Sequence, residues 1–189
     1  MVFRFVTLLI QASERSMRRL ILLRHAKSDW PDGMTDLDRP LAPRGRLAAP
    51  RMGQYLANEG LIPDLVLVSP ARRTQETWSL VEPLLPPSMD VEHDGRIYEA
   101  PTERLMSVVR EQPAQAHVLM LVGHNPGMEG LADLLVAGGS GVARERMQEK
   151  FPTGALAVID LPVDDWADMA EDSGRLDRFV TPRALAVDD

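Results

Sequence analysis

The chain contains no cysteine. That excludes disulfides, thiolate chemistry and cysteine-ligated zinc, and it fits a reducing compartment such as the cytoplasm. Long apolar runs are also missing: Phe3 to Ile10 spans about eight residues, where a membrane-crossing helix needs roughly 20. Neither G-x-x-x-x-G-K-[ST] nor G-x-G-x-x-G occurs, which argues against the common nucleotide-binding loops. No H-x-x-x-H or H-E-x-x-H pair offers a metal site. Basic charge is in deficit as well. With 21 basic and 28 acidic residues the net charge is −7, which disfavours nonspecific attraction to nucleic acid or to an anionic membrane.

What is present suits one α/β domain: 189 residues, 44% of them apolar and 26% charged. Apolar runs alternate with amphipathic segments, the rhythm of βαβ units. The patterning predicts strands near residues 19–24, 64–68, 117–122 and 154–160, with weaker candidates at 89–92 and 175–181. The first four are apolar throughout, so they belong in a sheet covered on both faces. Prolines predict helix starts at Pro43, Pro70, Pro101 and Pro126, because a first-turn residue needs no N–H partner. Ser69 and Asn125 stand where capping side chains would. Pro50 should kink the first helix or delay its start.

Residues 27–42 read as a long polar loop, 138–152 as a flexible or partly helical excursion, and 162–173 as an acidic hairpin or loop. Residues 1–16 read as an appended or weakly ordered extension, with the domain running over 17–189 and starting naturally at Met17. A signal peptide is the rival reading of that segment. Arg4 precedes the apolar stretch, but Thr7 interrupts it and no A-x-A site follows.

Two of the four histidines occupy equivalent positions. His25 follows Leu20-Ile21-Leu22-Leu23-Arg24, and His124 follows Val118-Leu119-Met120-Leu121-Val122-Gly123. Strand ends in a parallel sheet share one edge, so residues far apart in sequence can line one pocket there. A lone histidine at a strand end is more often a buried structural residue. Arg24 reverses that weighting, because a guanidinium cannot lose its charge and is costly to bury without an anion. Arg72 and Arg73 follow a third apolar run, Leu65 to Val68. They are adjacent on a helix and diverge by about 100°, so only one of them should enter a shared pocket. Arg44 has a weaker case and reads as a salt-bridge partner of Asp36 or Asp38. His93 and His117 read as structural, and Met52, Met106, Met120, Met128 and Met147 as core.

The ordered blocks Leu22-Leu23-Arg24-His25-Ala26, Asp38-Arg39-Pro40-Leu41 with Arg44-Gly45, Ser69-Pro70-Ala71-Arg72-Arg73 with Glu76-Thr77, Val122-Gly123-His124-Asn125-Pro126 and Pro152-Thr153-Gly154-Ala155 resemble the histidine phosphatase superfamily. They resemble in particular the small SixA-type phosphohistidine phosphatases, over about residues 18–182. The resemblance implies a three-layer α/β/α sandwich with a mostly parallel central sheet, and a phosphatase that works without metal or cofactor. It implies that His25 is the nucleophile and that Arg24, Arg73 and His124 stabilise the phosphoryl oxygens. Arg73 is chosen over Arg72 as the fifth residue of its block. Ser28 is a possible phosphate hydrogen-bonding group, with a turn role as the alternative.

Larger members of the superfamily use a carboxylate as general acid. Here Glu99 is the one candidate, equally readable as a solvated residue near a helix start. The implied substrate is a protein-borne phosphohistidine. The alternatives are a broad small-molecule phosphomonoesterase, a mutase-like phosphotransferase, and a noncatalytic module that binds phosphoproteins.

Overall fold

The computed structural model describes residues 17–186. The expectations for residues 1–16 lie outside that range. Seven strands form one sheet: β1 (Arg18–Arg24), β2 (Leu65–Val68), β3 (Asp90–His93), β4 (Val118–Gly123), β5 (Val136–Gly139), β6 (Leu156–Leu161) and β7 (Gly174–Val180). Their spatial order is β3-β2-β4-β1-β6-β7-β5. The pairs β1/β4, β2/β4, β2/β3 and β5/β7 are parallel, while β6 runs antiparallel to both β1 and β7. The sheet is therefore mostly parallel.

Because neighbouring side chains of a strand point to opposite faces, the unbroken apolar runs feed two cores. On one face Leu20, Leu22, Leu65, Leu67, Leu119 and Leu121 meet α3 (Thr102–Arg110) and α4 (Gly127–Leu135). On the other face Ile21, Leu23, Val66, Val68, Met120 and Val122 meet α1 (Pro43–Asn58) and α2 (Arg72–Val81). Each fully buried side chain of this kind contributes roughly 1.5–3 kcal/mol, which is why the central strands tolerate no polar alternation. All five methionines expected in the core are buried there.

Expectations about helix starts and caps are corrected, while those for 138–152 and 162–173 hold. Only Pro43 lies in the first turn of its helix; Pro101 and Pro126 occupy the cap positions, and Pro70 precedes the cap Ala71. Neither Ser69 nor Asn125 caps a helix. Pro50 neither delays nor ends α1, which runs from Pro43 through to Asn58. Its buried face, Gly45, Ala49, Met52, Gly53 and Leu56, offsets the cost of about 3 kcal/mol for an interior proline. The excursion after Gly138 holds the end of β5 and a true helix, α5 (Gly141–Glu149), capped by the Ser140 side chain. The segment 162–173 is a loop with one 3-10 turn at Trp166–Asp168, whose Trp166 plugs the core. A short α6 (Pro182–Leu185) follows β7.

Candidate active site

Arg24 pairs with Gly123 in the β1/β4 register, so His25 and His124 leave the sheet side by side at its carboxyl edge. Their ring centroids are 5.3 Å apart. The antiparallel β6 starts at the same edge, and the turn before it is bound to the β1 exit. The amide of Gly154 donates to the carbonyls of His25 (2.9 Å) and Arg24 (3.2 Å). Gly154 has φ +78°, a left-handed conformation in which a side chain is strained. Gly45 is required for another reason: a Cβ there would lie 2.1 Å from the carbonyl oxygen of Lys27, where the loop leaves the site.

The imidazole of His25 is buried, and its Nδ1 lies 2.8 Å from the Ala26 carbonyl oxygen. A carbonyl only accepts, so Nδ1 carries the proton and Nε2 carries the lone pair of the neutral ring. Burial, then the charges of Arg73, Arg24 and Arg39, push its pKa down to about 3, against the smaller opposing pull of the Ala26 carbonyl. The amide of Ala26 is held by the Thr77 hydroxyl, which itself donates to the Arg73 carbonyl. His124 is likewise lowered to about 3, by burial first and then by Arg73 and His25. Its Nε2 lies 2.7 Å from the Ser69 hydroxyl, and its Nδ1 has no partner among the described residues.

Arg24 donates through Nη1 to the Phe151 carbonyl (2.7 Å), while its buried Nε has no partner among the described residues. Burial lowers its pKa, with a further push from Arg73. Arg73 has a side chain only 4% exposed, against 51% for Arg72, which pairs with Glu76. The adjacent arginines thus face a buried rim and solvent respectively. Arg73 binds the Asp36 carbonyl (2.6 Å) and carboxylate (2.9 Å), and its Nε is unpartnered.

Asp36, Tyr98 and Arg39 complete the rim, and none of them was singled out for it from the sequence. Burial would raise the Asp36 carboxyl, but the Tyr98 hydroxyl and the guanidinium groups of Arg39 and Arg73 outweigh it and hold the pKa well below the carboxylate range. Tyr98 donates to Asp36 (2.7 Å) and stands edge-on to His124 at 5.6 Å. Burial, then the Asp36 bond, push its hydroxyl up to about 12. The expected pairing of Arg44 with Asp36 or Asp38 is not made; Asp38 accepts from Thr35 instead.

Ser28 is buried and accepts from Arg39 (2.9 Å). Glu99 is exposed, with φ +47°, and makes no side-chain hydrogen bond or ion pair among the described residues. Asn125 donates to Glu129 (3.1 Å) and the Phe151 carbonyl (3.0 Å). The first turn of α4 is partly committed, since the Met128 amide bonds the His124 carbonyl. His93 and His117 lie exposed on the surface, His93 with its Nδ1 3.1 Å from the Gln75 amide.

Two neutral imidazoles beside two incompletely bonded guanidinium groups, Arg73 buried and Arg24 half-buried, define a rim suited to a tetrahedral oxyanion. A family model described as the histidine phosphatase superfamily (branch 1) matches residues 20–119. The uncharacterized protein Rv1276c of Mycobacterium tuberculosis is 34% identical over 163 residues, 85% of this chain and 100% of the relative. A candidate phosphohistidine phosphatase SixA from Nakamurella multipartitia superposes with TM-score 0.77 at 29% identity, covering 88% of this chain and 96% of that one. A second, from Agrobacterium tumefaciens, gives TM-score 0.74 at 30% identity, with 87% and 98% covered. The chain belongs to the histidine phosphatase superfamily, and that membership supports a phosphatase, a hydrolase.

Proposed function

We propose that this chain removes phosphoryl groups from protein phosphohistidine through a phosphoenzyme on His25, with no metal or cofactor. The observation that carries the reading is the fixed tautomer of His25: Nδ1–H held on the Ala26 carbonyl leaves Nε2 unprotonated beside two arginines. Nε2 attacks phosphorus in line, the bond from phosphorus to the leaving nitrogen breaks, and that nitrogen takes a proton. Arg24, Arg73 and His124 hold the charge spread over the three equatorial oxygens. If Ser69 donates to His124 Nε2, the Nδ1–H is left as a donor to phosphoryl oxygen. Water then attacks the phosphorus of phospho-His25 and releases phosphate, which restores the neutral ring.

Substrate class follows from the leaving group. A phosphoramidate breaks readily once its nitrogen is protonated, whereas an alkyl ester needs a positioned acid. Glu99 is exposed and has no side-chain hydrogen bond among the described residues to position it as such an acid. This favours phosphohistidine over a broad phosphomonoesterase or a mutase-like transfer. A noncatalytic phosphoprotein-binding module would need the arginines but not a neutral histidine with a free Nε2. Ser28, already accepting from Arg39, can still donate its hydroxyl proton to a phosphoryl oxygen.

The same reading gives an enzyme of phosphohistidine signalling in the cytoplasm, consistent with the lack of cysteine. Among the described residues no helix is long and apolar enough to cross a membrane. It treats residues 17–189 as one domain, with residues 1–16 dispensable for activity.

Rapid-quench labelling tests the mechanism. Wild-type protein mixed with a phosphohistidine peptide should yield an acid-labile, base-stable phosphoenzyme, absent in His25→Ala. Turnover of the peptide by His25→Ala at the wild-type rate would overturn the assignment.

A further inference from the structure

Beside the His25 rim lies a second concave feature, a cleft of about 580 Å³ between the start of α1, the turn before β6 and α6. It is lined by Lys27, Arg44, Arg51, Lys150 and Arg183, with no acidic residue in its wall among the described residues. Lys27, Arg44, Lys150 and Arg183 hold no ion pair and no side-chain hydrogen bond among the described residues. In a chain of net charge −7, solvated cations are ordinarily dispersed among carboxylates. Here those four line one hollow together with Arg51, and its wall also carries Leu47, a leucine 70% exposed.

Two segments tie the cleft to the site along the chain. Lys27 is two residues beyond His25. Thr153, also in its wall, directly precedes Gly154, whose amide is bonded to the His25 and Arg24 carbonyls.

We propose that this cleft docks an acidic segment of the phosphoprotein substrate, so that carboxylates flanking the phosphorylated histidine meet Lys27, Arg44, Lys150 and Arg183. The inference rests on the phosphohistidine reading above. Charge complementarity favours a peptide over a small metabolite, because the cations line a hollow beside the rim and are not gathered around the phosphoryl position. Leu47 offers an apolar contact of the kind a peptide side chain fills. The acidic balance of the rest of the molecule repels such a segment elsewhere and so directs it to this side of His25.

The test uses the full chain and a pair of matched phosphohistidine peptides, one flanked by glutamates and one by glutamines. Arg44→Glu/Lys150→Glu/Arg183→Glu should lower kcat/KM on the glutamate peptide about tenfold or more, in the range of electrostatic steering, and leave the glutamine peptide unchanged. Arg104→Glu, in the opposite helical layer, should change neither. Wild-type preference for the glutamate peptide should fade as salt rises past the range where the Debye length drops below about 8 Å. Equal treatment of the two peptides by wild type and triple variant would overturn the proposal.

Anisotropy of a labelled, unphosphorylated oligoglutamate peptide gives an independent reading. Binding lost in the triple variant supports the cleft even if neither phosphopeptide is hydrolysed, an outcome that would sink only the substrate assignment. No binding by wild type at low salt, or binding kept by the triple variant, overturns the cleft.

Discussion

Strand β1 carries an arginine at each end, Arg18 buried and Arg24 half-buried, and the two are treated in opposite ways. Arg18, at the amino end, is 2% exposed. Its guanidinium donates to the Ala116 carbonyl (2.9 Å) and through both Nε and Nη2 to the Asp164 carbonyl, and it lies over the Trp166 ring. Trp166 in turn donates to Ala116 (2.7 Å). Arg24, at the carboxyl end, has one carbonyl partner and a buried Nε without any.

Five buried side-chain polar atoms lack a partner among the described residues, and four of them belong to Arg24, Arg73, His124 and Asn125. The fifth, Trp78 Nε1, has no physical account. An unmade bond costs about 1–3 kcal/mol, so a cluster of them at one edge marks a place shaped for something other than stability. Local bonding, and not the residue type, distinguishes the structural arginine from the one available to a ligand.

The comparison predicts its sharpest split in activity. Arg24→Ala and Arg73→Ala should each lower kcat about 100- to 1000-fold, the scale for losing one oxyanion donor. Arg72→Ala, which removes only a solvated pair with Glu76, should stay within a factor of about two. A larger loss for Arg72→Ala would mean that the wrong neighbour has been given the role. Arg18→Ala should do the reverse. It removes the guanidinium bonds to the Ala116 and Asp164 carbonyls and the packing over Trp166, and should lower unfolding free energy by about 1–3 kcal/mol in urea titrations, with kcat per folded molecule unchanged. A fall in kcat at full stability would erase the distinction between the two ends of β1.

Acid should weaken the site end in a smaller, continuous way. His25 and His124 titrate near 3 in the folded chain, against 6.5 when unperturbed, so the unfolded chain binds more protons between those values. Their contribution is complete above pH 6.5 and declines as pH falls, by up to about 1.4 kcal/mol per pH unit for each histidine. Urea midpoints measured from pH 6.5 down to 5, before most carboxylates titrate, should fall for wild type and hold level for His25→Asn/His124→Asn. Parallel curves would show that the two rings are not held neutral.

The smallest effect is expected of Glu99→Gln. It should leave phosphohistidine hydrolysis within about twofold and slow an alkyl phosphate ester more. Equal large losses on both substrates, with the acidic limb of the pH–rate profile gone, would make Glu99 a general acid.

Period and polarity made much of this molecule legible. The apolar runs at β1, β2, β4 and β6, with their polar exits, carry the sheet in their patterning, because a strand buried on both faces leaves a signature of consecutive residues. The 100° between adjacent helix residues separated Arg72 from Arg73 before any coordinates. Resemblance across five short blocks supplied the roles that spacing could not.

Other features depended on contacts distant in sequence. Ser69 and Asn125 have good capping chemistry locally, yet His124 Nε2 claims the Ser69 hydroxyl, and the Asn125 amide is turned to donate through Nδ2 to Glu129 and the Phe151 carbonyl. Asp36 lies in an aperiodic loop, and only folding brings Tyr98, 62 positions later, and Arg73, 37 positions later, onto its carboxylate. The basic cleft joins side chains from residues 27 to 183. Sequence by itself determined which segments are buried and which residue types stand at their ends, since hydrophobic burial and backbone geometry act locally. Tertiary structure alone decided which polar groups satisfy one another and which are left over, because hydrogen bonding in the interior is a competition among neighbours that the order of residues does not reveal.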